Sequence, residues 1–190
     1  MKKLGILGGT FDPPHLGHMI LAQSAREELE LDKIIFIPAA NQPHKLDKAV
    51  TDPDLRIQMV SIAIAGDERL AVSDIEIRRE GLSYMSDTIR EMHRAYPESK
   101  LILIIGADNI SDLETWKNPE AIFEWAEVAA ALRPSAKVSG KFNNRIRLFA
   151  MPQIEISSSL IRSLVKDHRS IRYYVPDGVE KFIREHKLYI

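Results

Sequence analysis

The chain has 190 residues, of which 45% are hydrophobic and 28% charged, the composition of a globular protein large enough to bury a core. A formal net charge of −1 excludes a general attraction to nucleic acid or to a membrane surface, and the lack of cysteine excludes disulfides and thiolate chemistry. No apolar run approaches the roughly 20 residues that cross a bilayer, and the first residues lack the apolar core of a secretory signal. We therefore expect a cytoplasmic protein that forms a single domain over residues 1–190.

Short apolar runs alternate along the chain with longer segments of helical periodicity. The runs that predict strands are 4–7, 34–37, 70–77, 101–105, 128–132 and 145–150. The segments that predict helices are 16–30, 54–65, 83–95, 119–125, 158–165 and 177–186. Segments 39–53 and 133–144 carry proline and asparagine without periodicity and predict loops. The alternation predicts an α/β fold, a Rossmann-like, mostly parallel sheet with helices on both faces and a small helical C-terminal extension.

The first predicted strand is followed by the run GGTFDPPHLGH, residues 8–18. Gly8 and Gly9 leave room for the backbone to approach a ligand, and the adjoining helix start offers N–H groups and a partial positive charge. His15 and His18 share one face of the first helical turn, where each imidazole can donate to a phosphate oxygen and a protonated one adds charge. A tight turn and a zinc-binding histidine pair are the alternatives. Neither cysteine nor an acidic cluster completes a zinc site, so we predict no metal ligands and favour a phosphate site.

The last predicted strand is followed by a second run of this kind, ISSSLIR, residues 156–162. Serine is a favoured residue at helix starts, and Arg162 lies one turn after Ser158, beside the same helix start. Hydroxyl, backbone N–H and guanidinium groups could converge on one anion there. A plain serine cap with a surface arginine is the alternative when this run is taken by itself.

Both runs resemble the motifs of the nucleotidyltransferase superfamily, GxFxPxHxGH and ISSTxIR, with Ser159 in place of threonine. The resemblance implies that His15 and His18 stabilise charge on the ATP phosphates. It also implies that Lys45, in the loop after the second strand, binds phosphate. The catalytic residues implied are therefore His15, His18, Lys45 and Arg162. The ATP-binding residues implied are Gly8, Gly9, Thr10, Phe11, His15, His18, Gly106, Asp108, Ser157, Ser158 and Arg162.

The middle of the chain resembles one branch of that superfamily, the bacterial nicotinate-nucleotide adenylyltransferases. SYMSDT at 83–88 is similar to their SYTxDT segment, GADN at 106–109 followed by Trp116 is similar to their GAD…W element, and Arg133-Pro134 is similar to their RPG. The pyridine-nucleotide-binding residues implied are Thr10, Lys45, Ser83, Tyr84, Met85 and Trp116. Without the resemblance, Trp116 is better interpreted as a core residue than as a partner that stacks on a ring. Asp108 is likewise better interpreted as a helix cap than as a contact to a ribose hydroxyl. Met85 replaces the usual threonine and Ser135 the usual glycine.

The resemblance implies transfer of AMP from ATP to nicotinate mononucleotide, with Mg²⁺ carried by the phosphates of ATP. The expected partners are ATP and nicotinate mononucleotide, without nucleic acid or membrane, and a homo-oligomer is left open. Three alternatives remain: adenylyl transfer to nicotinamide mononucleotide or another phosphate-bearing acceptor, a non-catalytic nucleotide sensor, and an NAD-linked oxidoreductase. The lack of a GxGxxG pattern disfavours the last of these.

Overall fold

A computed structural model describes residues 1–41, 50–79, 81–106, 109–132 and 140–190. Its strands form one six-stranded, all-parallel sheet in the order β3-β2-β1-β4-β5-β6. The strands are β1 Lys2–Gly9, β2 Lys33–Pro38, β3 Leu70–Val72, β4 Ser99–Gly106, β5 Glu127–Ala131 and β6 Ile146–Phe149. The helices in the described residues are α1 Leu16–Glu28, α2 Pro53–Ala63, α3 Ile75–Arg79, α4 Met85–Ala95, α5 Pro119–Trp125, α6 Ser158–Lys166 and α7 Asp177–Glu185.

The central strands are buried on both faces, because successive side chains of a strand point to opposite sides. On β4, Leu101, Leu103 and Ile105 lie in a first core, which α4 and α5 cover. Ile102 and Ile104 lie in a second core, which α1 and α2 cover. This arrangement confirms the predicted α/β fold with helices on both faces of a parallel sheet.

A third core joins the C-terminal helices to α2. Met59 of α2 packs there with Ile161 and Leu164 of α6 and with Val179 and Phe182 of α7. The predicted C-terminal helices are therefore present, and they extend the hydrophobic interior beyond the sheet.

The prediction of a strand over 70–77 is wrong in its second half. The strand ends at Val72, and helix α3 begins at Ile75. Ser73 and Asp74 cause the change: the hydroxyl of Ser73 accepts from the N–H of Ile75, and Asp74 forms an ion pair with Arg78 one helical turn later, at 2.9 Å. Short polar side chains that bond the backbone in this way favour helix starts over strands.

Candidate functional site: two helix starts at the centre of the sheet

The strand order reverses between β1 and β4, which are neighbours in the sheet although β2 and β3 lie between them in the chain. In an open parallel sheet, ligands bind beyond the carboxyl ends of the strands at such a reversal. Gly8 and Gly9 are the last residues of β1, and Gly106 is the last residue of β4. The fold thus places the two glycine-containing loops of the sequence at the same position.

The two glycines of β1 lie against neighbouring side chains. A Cβ atom on Gly9 would lie 2.9 Å from the ring of Phe11, and one on Gly8 would collide with the methyl group of Met85. Phe11 itself is buried, with a positive φ of 51°, so its side chain belongs to the second core and only its backbone faces the loop. The glycines therefore leave room for neighbouring side chains, and the close approach of their backbone to a ligand stays a prediction.

The two histidines stack at the start of α1. Their ring centroids are 3.7 Å apart, and the ring of His18 also makes an edge contact with Phe11 at 4.9 Å. The backbone N–H of His15 donates to Nδ1 of His18 at 3.2 Å. Because Nδ1 of His18 accepts this bond, the proton of a neutral His18 ring lies on Nε2, where it can be donated to a ligand.

Burial keeps both imidazoles neutral in the free protein. His15 is only 7% exposed, and desolvation lowers its pKa from 6.5 to about 4. Desolvation, followed by repulsion from His15, also lowers the pKa of His18 well below its usual value. At neutral pH the pair therefore offers N–H donors without positive charge, whereas the sequence had suggested that a protonated ring could add charge.

The start of α6 contacts the loop between β1 and α1. Nη1 of Arg162 donates to the carbonyl oxygen of Asp12, and the hydroxyl of Ser158 donates to that of Pro13, both at 2.8 Å. Nη2 of Arg162 reaches the hydroxyl of Ser159 at 3.2 Å, and Ser157 caps the helix by accepting from the N–H of Leu160. The structure thus brings together the two motifs that the sequence singled out, although they lie about 150 residues apart.

Not every N–H group at the start of α1 is available to a ligand. The N–H of Leu16 donates to the carbonyl of Tyr174, and that of His18 donates to the carbonyl of His15. At the start of α6, the N–H groups of Ser158 and Ser159 have no carbonyl one turn earlier in their own helix. These two groups, together with the rings at α1, are therefore donors that could face an anion.

The segment that resembles the acceptor-binding motif lies beside this junction. The hydroxyl of Ser83 accepts from the N–H of Ala40, which follows β2, and the side chain of Met85 covers Gly8. Tyr84 precedes α4, and the ammonium group of Lys117 lies 4.1 Å from the centre of its ring. Trp116, the residue before Lys117, is half-buried against the first core, against which Met85 also packs.

The sequence did not point to three further polar residues that hold the loop. Arg56 is 1% exposed and donates to the carbonyls of Thr10, Ala39, Ala40 and Thr51. The carboxylate of Asp12 is also buried and accepts from the hydroxyl of Tyr189. Helical periodicity could have revealed Arg56, because it shares a helix face with the buried Met59 and Val60.

The other predicted site residues, Lys45 and Asp108, lie outside the described residues, as do Arg133, Pro134 and Ser135. Within the described ranges no three His, Cys, Asp or Glu side chains are grouped as a metal site would require. None of the helices in these ranges has the length and apolar character needed to cross a membrane.

Comparisons with known proteins agree with this arrangement. The cytidylyltransferase-like family model matches residues 6–164. A probable nicotinate-nucleotide adenylyltransferase of Exiguobacterium sibiricum is 42% identical over 187 residues, covering 98% of either chain, and one from Thermus thermophilus is 42% identical over 98% of this chain and 99% of its own. The structure of nicotinic acid mononucleotide adenylyltransferase from Plasmodium falciparum, complexed with NaAD, shares the fold with a TM-score of 0.82, at 21% identity over 100% of this chain and 98% of its own. The chain is therefore an enzyme of the cytidylyltransferase-like family and belongs, within it, to the nicotinate-nucleotide adenylyltransferases.

Proposed function

We propose that this enzyme acts in the cytoplasm and transfers the AMP part of MgATP to nicotinate mononucleotide. An oxygen of the 5′-phosphate of nicotinate mononucleotide attacks the α-phosphorus of ATP, and the bond from that phosphorus to the bridging oxygen of the β-phosphate breaks. The products are nicotinate adenine dinucleotide and pyrophosphate. Magnesium enters as part of the nucleotide substrate, and no resident metal site in the protein is invoked.

One observation carries the proposal. The start of α6 is bonded through Arg162 and Ser158 to the loop that leads into the two histidines of α1. Charged and polar groups from both ends of the chain therefore surround one place beyond the carboxyl ends of β1 and β4. A triphosphate is an anion that needs several donors at once, and this arrangement supplies hydroxyl, guanidinium and imidazole N–H groups.

The role assigned to the protein is alignment and charge stabilisation. A phosphate monoester is already a competent nucleophile, so the reaction requires neither a general base nor a covalent intermediate. In the proposed mechanism, His18 donates through Nε2 to an oxygen whose negative charge increases in the transition state. Arg162, held by the carbonyl of Asp12, presents its remaining N–H groups to the triphosphate. Thr10, which follows β1, and the first amides of α4 are the groups that the proposal assigns to the acceptor.

Fewer contacts of the structure bear on the acceptor than on ATP. The Ser83–Met85 segment and Trp116 offer two sides of a pocket for a pyridine ring, and the first amides of α4 could receive its carboxylate. Met85 replaces a hydroxyl group with a thioether at this position. We favour the acid over the amide because backbone donors do not depend on the side chain at residue 85.

Pyrophosphate release tests the proposal directly. The enzyme is incubated with MgATP and, in separate reactions, nicotinate mononucleotide, nicotinamide mononucleotide and phosphopantetheine, and kcat/KM is compared. We expect the acid pyridine nucleotide to give the highest value. A preference for phosphopantetheine would contradict the assignment of Trp116, and an absence of pyrophosphate with every acceptor would favour a nucleotide sensor.

The variant His18→Ala tests, in the same assay, whether His18 stabilises charge on the phosphates. Loss of a donor to transition-state charge should lower kcat by about 100-fold or more, with an unchanged circular dichroism spectrum. The matched control is His168→Asn, since His168 is exposed and its positive φ of 53° is tolerated by asparagine. Normal turnover by His18→Ala would remove His18 from the mechanism.

A further inference from the structure

A residue near the C-terminus contacts the loop between β1 and α1, residues 10–15, which we call the phosphate loop. The hydroxyl of Tyr189 donates to Oδ1 of Asp12 at 2.6 Å, across a sequence separation of 177 residues. Burial and the bond to Asp12 raise the pKa of Tyr189, so the hydroxyl keeps its proton and remains a donor. The tyrosine packs at the edge of the third core, and its ring does not belong to the proposed substrate-binding surface.

Asp12 connects three segments of the protein. Oδ1 accepts from Tyr189, Oδ2 accepts from the N–H of Thr51 at 3.3 Å, and its carbonyl oxygen accepts from Arg162 at 2.8 Å. The side chain is only 4% exposed, so water does not replace a lost partner without cost. A displacement of Asp12 would therefore move the contact through which Arg162 is oriented.

The surroundings of Asp12 reinforce this dependence. The buried guanidinium of Arg56 donates to the carbonyl oxygens of Thr10 and Thr51, and the N–H of Thr51 donates to the Asp12 carboxylate. Burial lowers the pKa of Arg56, and Asp12, with Asp52 and Glu76, opposes this shift by attracting the positive charge. A buried hydrogen-bond network of this kind holds a defined geometry only when each of its donors and acceptors has a partner.

The backbone near Tyr189 also indicates a constrained position. Tyr189 has a φ of 66° and Lys187 a φ of 50°, both in the left-handed region that non-glycine residues rarely adopt. The same C-terminal part of the chain contacts the start of α1 a second time, since the carbonyl of Tyr174 accepts from the N–H of Leu16. The part of the chain that follows α6 therefore contacts this region at two points, through Tyr189 to Asp12 and through Tyr174 to Leu16.

We propose that Tyr189 is a positioning residue for the transfer reaction, which holds the Asp12 carboxylate so that Arg162 and the histidine pair face the same phosphates. This inference rests on the proposed function. Tyr189 touches no reacting atom. It acts through Asp12, and its contribution should appear in the chemical step more than in substrate binding.

The test compares Tyr189→Phe with Tyr173→Phe. Both changes remove one hydroxyl in the same segment, but Tyr173 is 72% exposed and makes no contact with Asp12. With nicotinate mononucleotide and MgATP at 25 °C, we expect kcat of Tyr189→Phe to fall about tenfold, with KM for either substrate within about twofold of wild type. Tyr173→Phe should match wild type in both constants.

A second variant separates positioning from general destabilisation. Asp12→Ala removes both carboxylate oxygens, so neither Tyr189 nor the N–H of Thr51 keeps its acceptor. If Tyr189 acts through Asp12, the double variant Tyr189→Phe/Asp12→Ala should be no slower than Asp12→Ala alone, because the two changes disrupt one connection. Should Tyr189→Phe fail to fold, a normal kcat for folded Asp12→Ala would still reject the inference.

Each outcome has a defined meaning. Normal kcat in Tyr189→Phe, an equal loss in Tyr173→Phe, or additive losses in the double variant would each overturn the inference while leaving the proposed function intact. A loss of kcat that only follows the folded fraction measured by circular dichroism would do the same. Wild-type enzyme that forms no dinucleotide from nicotinate mononucleotide would instead reject the proposed function, and this inference with it.

Discussion

The two histidines of α1 combine burial with hydrogen-bonding capacity. Their stacking and the bond from the N–H of His15 to Nδ1 of His18 fix both rings before any ligand arrives. Neutral imidazoles repel each other little, so the pair can be stacked closely in the free protein. An incoming triphosphate would favour protonation of the rings, because an opposite charge raises the pKa of an imidazole.

The lowered pKa values predict how stability depends on pH. The folded-state pKa of His15 is about 4 and its unfolded value 6.5, so the unfolded chain binds more protons between these two pH values. The free energy of unfolding should therefore fall as the pH is lowered from 6.5 towards 4, by up to about 3 kcal/mol from His15 alone. Above about pH 7.5, where the unfolded-state imidazoles have lost their protons, the two histidines should contribute no pH dependence.

Urea unfolding between pH 4 and pH 7.5 measures this effect. Carboxylates titrate in the same range, so wild type is compared with the variant His15→Gln/His18→Gln, in which the carboxylate contribution is retained. The variant should lose less stability on acidification than wild type does. Parallel stability curves for the two proteins would show that the rings are not kept neutral by burial.

At single positions, the sequence predicts which residues lie at the site better than it predicts their protonation state and their distant partners. The first motif placed His15 and His18 at a helix start next to phosphate-binding groups, because residues three apart share a face of a helix. Their neutral form depends on burial, which arises only when α6 and the C-terminal segment cover the loop. No local pattern could have predicted that Tyr189 is the partner of Asp12, since the two are separated by nearly the whole chain.

Among the elements, α7 is held closely against α2. A Cβ atom on Gly178, in the first turn of α7, would lie 2.6 Å from Cγ2 of Ile62. Isoleucine is branched at Cβ, so this methyl group cannot move without a change of the whole side chain. The glycine therefore sets the distance between the helix that leads to Tyr189 and the helix that carries Arg56.

Gly178→Ala tests this contact. Overpacking at a helix contact costs about 1–3 kcal/mol, which exceeds the gain in helix propensity of at most about 1 kcal/mol. The free energy of unfolding measured in urea should therefore decrease. In an Ile62→Ala background the added methyl group has space, and the same change should be neutral or stabilising. A similar loss in both backgrounds would contradict the contact.

Elements were predictable where local and tertiary preferences agree. The run 101–105 is uniformly apolar and is the centre of β4, because a central parallel strand is buried on both faces. The run 70–77 is apolar at five of its eight positions, yet the hydrogen bond of the Ser73 hydroxyl and the ion pair of Asp74 begin a helix inside it. Apolar content alone does not distinguish a buried strand from a short buried helix.

At the scale of the whole molecule, the sheet and the C-terminal helices share α2. Val60 of α2 lies in the second core and Met59 lies in the third, while Arg56 bonds the loops at the end of the sheet. Helix α2 thus packs in both cores and connects them. The chain should accordingly unfold as the single domain predicted over residues 1–190.

Equilibrium unfolding with two probes tests this cooperativity. Both tryptophans, Trp116 and Trp125, pack against the first core, so their fluorescence reports on the sheet, while far-ultraviolet circular dichroism reports on all helices. We expect coincident transitions in urea. A fluorescence midpoint above that of the circular dichroism would indicate that the C-terminal helices unfold separately.

The bond between Asp12 and Tyr189 joins the first motif of the protein to a residue that is translated 177 positions later. At 5–20 residues per second, a ribosome needs roughly 10–35 s to add the intervening chain. During that time the nascent polypeptide can form β1 and α1, but the carboxylate of Asp12 lacks its phenolic donor. Synthesis of Tyr189 is therefore needed to complete the loop, and a chain that stalls before this residue would carry both motifs without the contact that fixes the first.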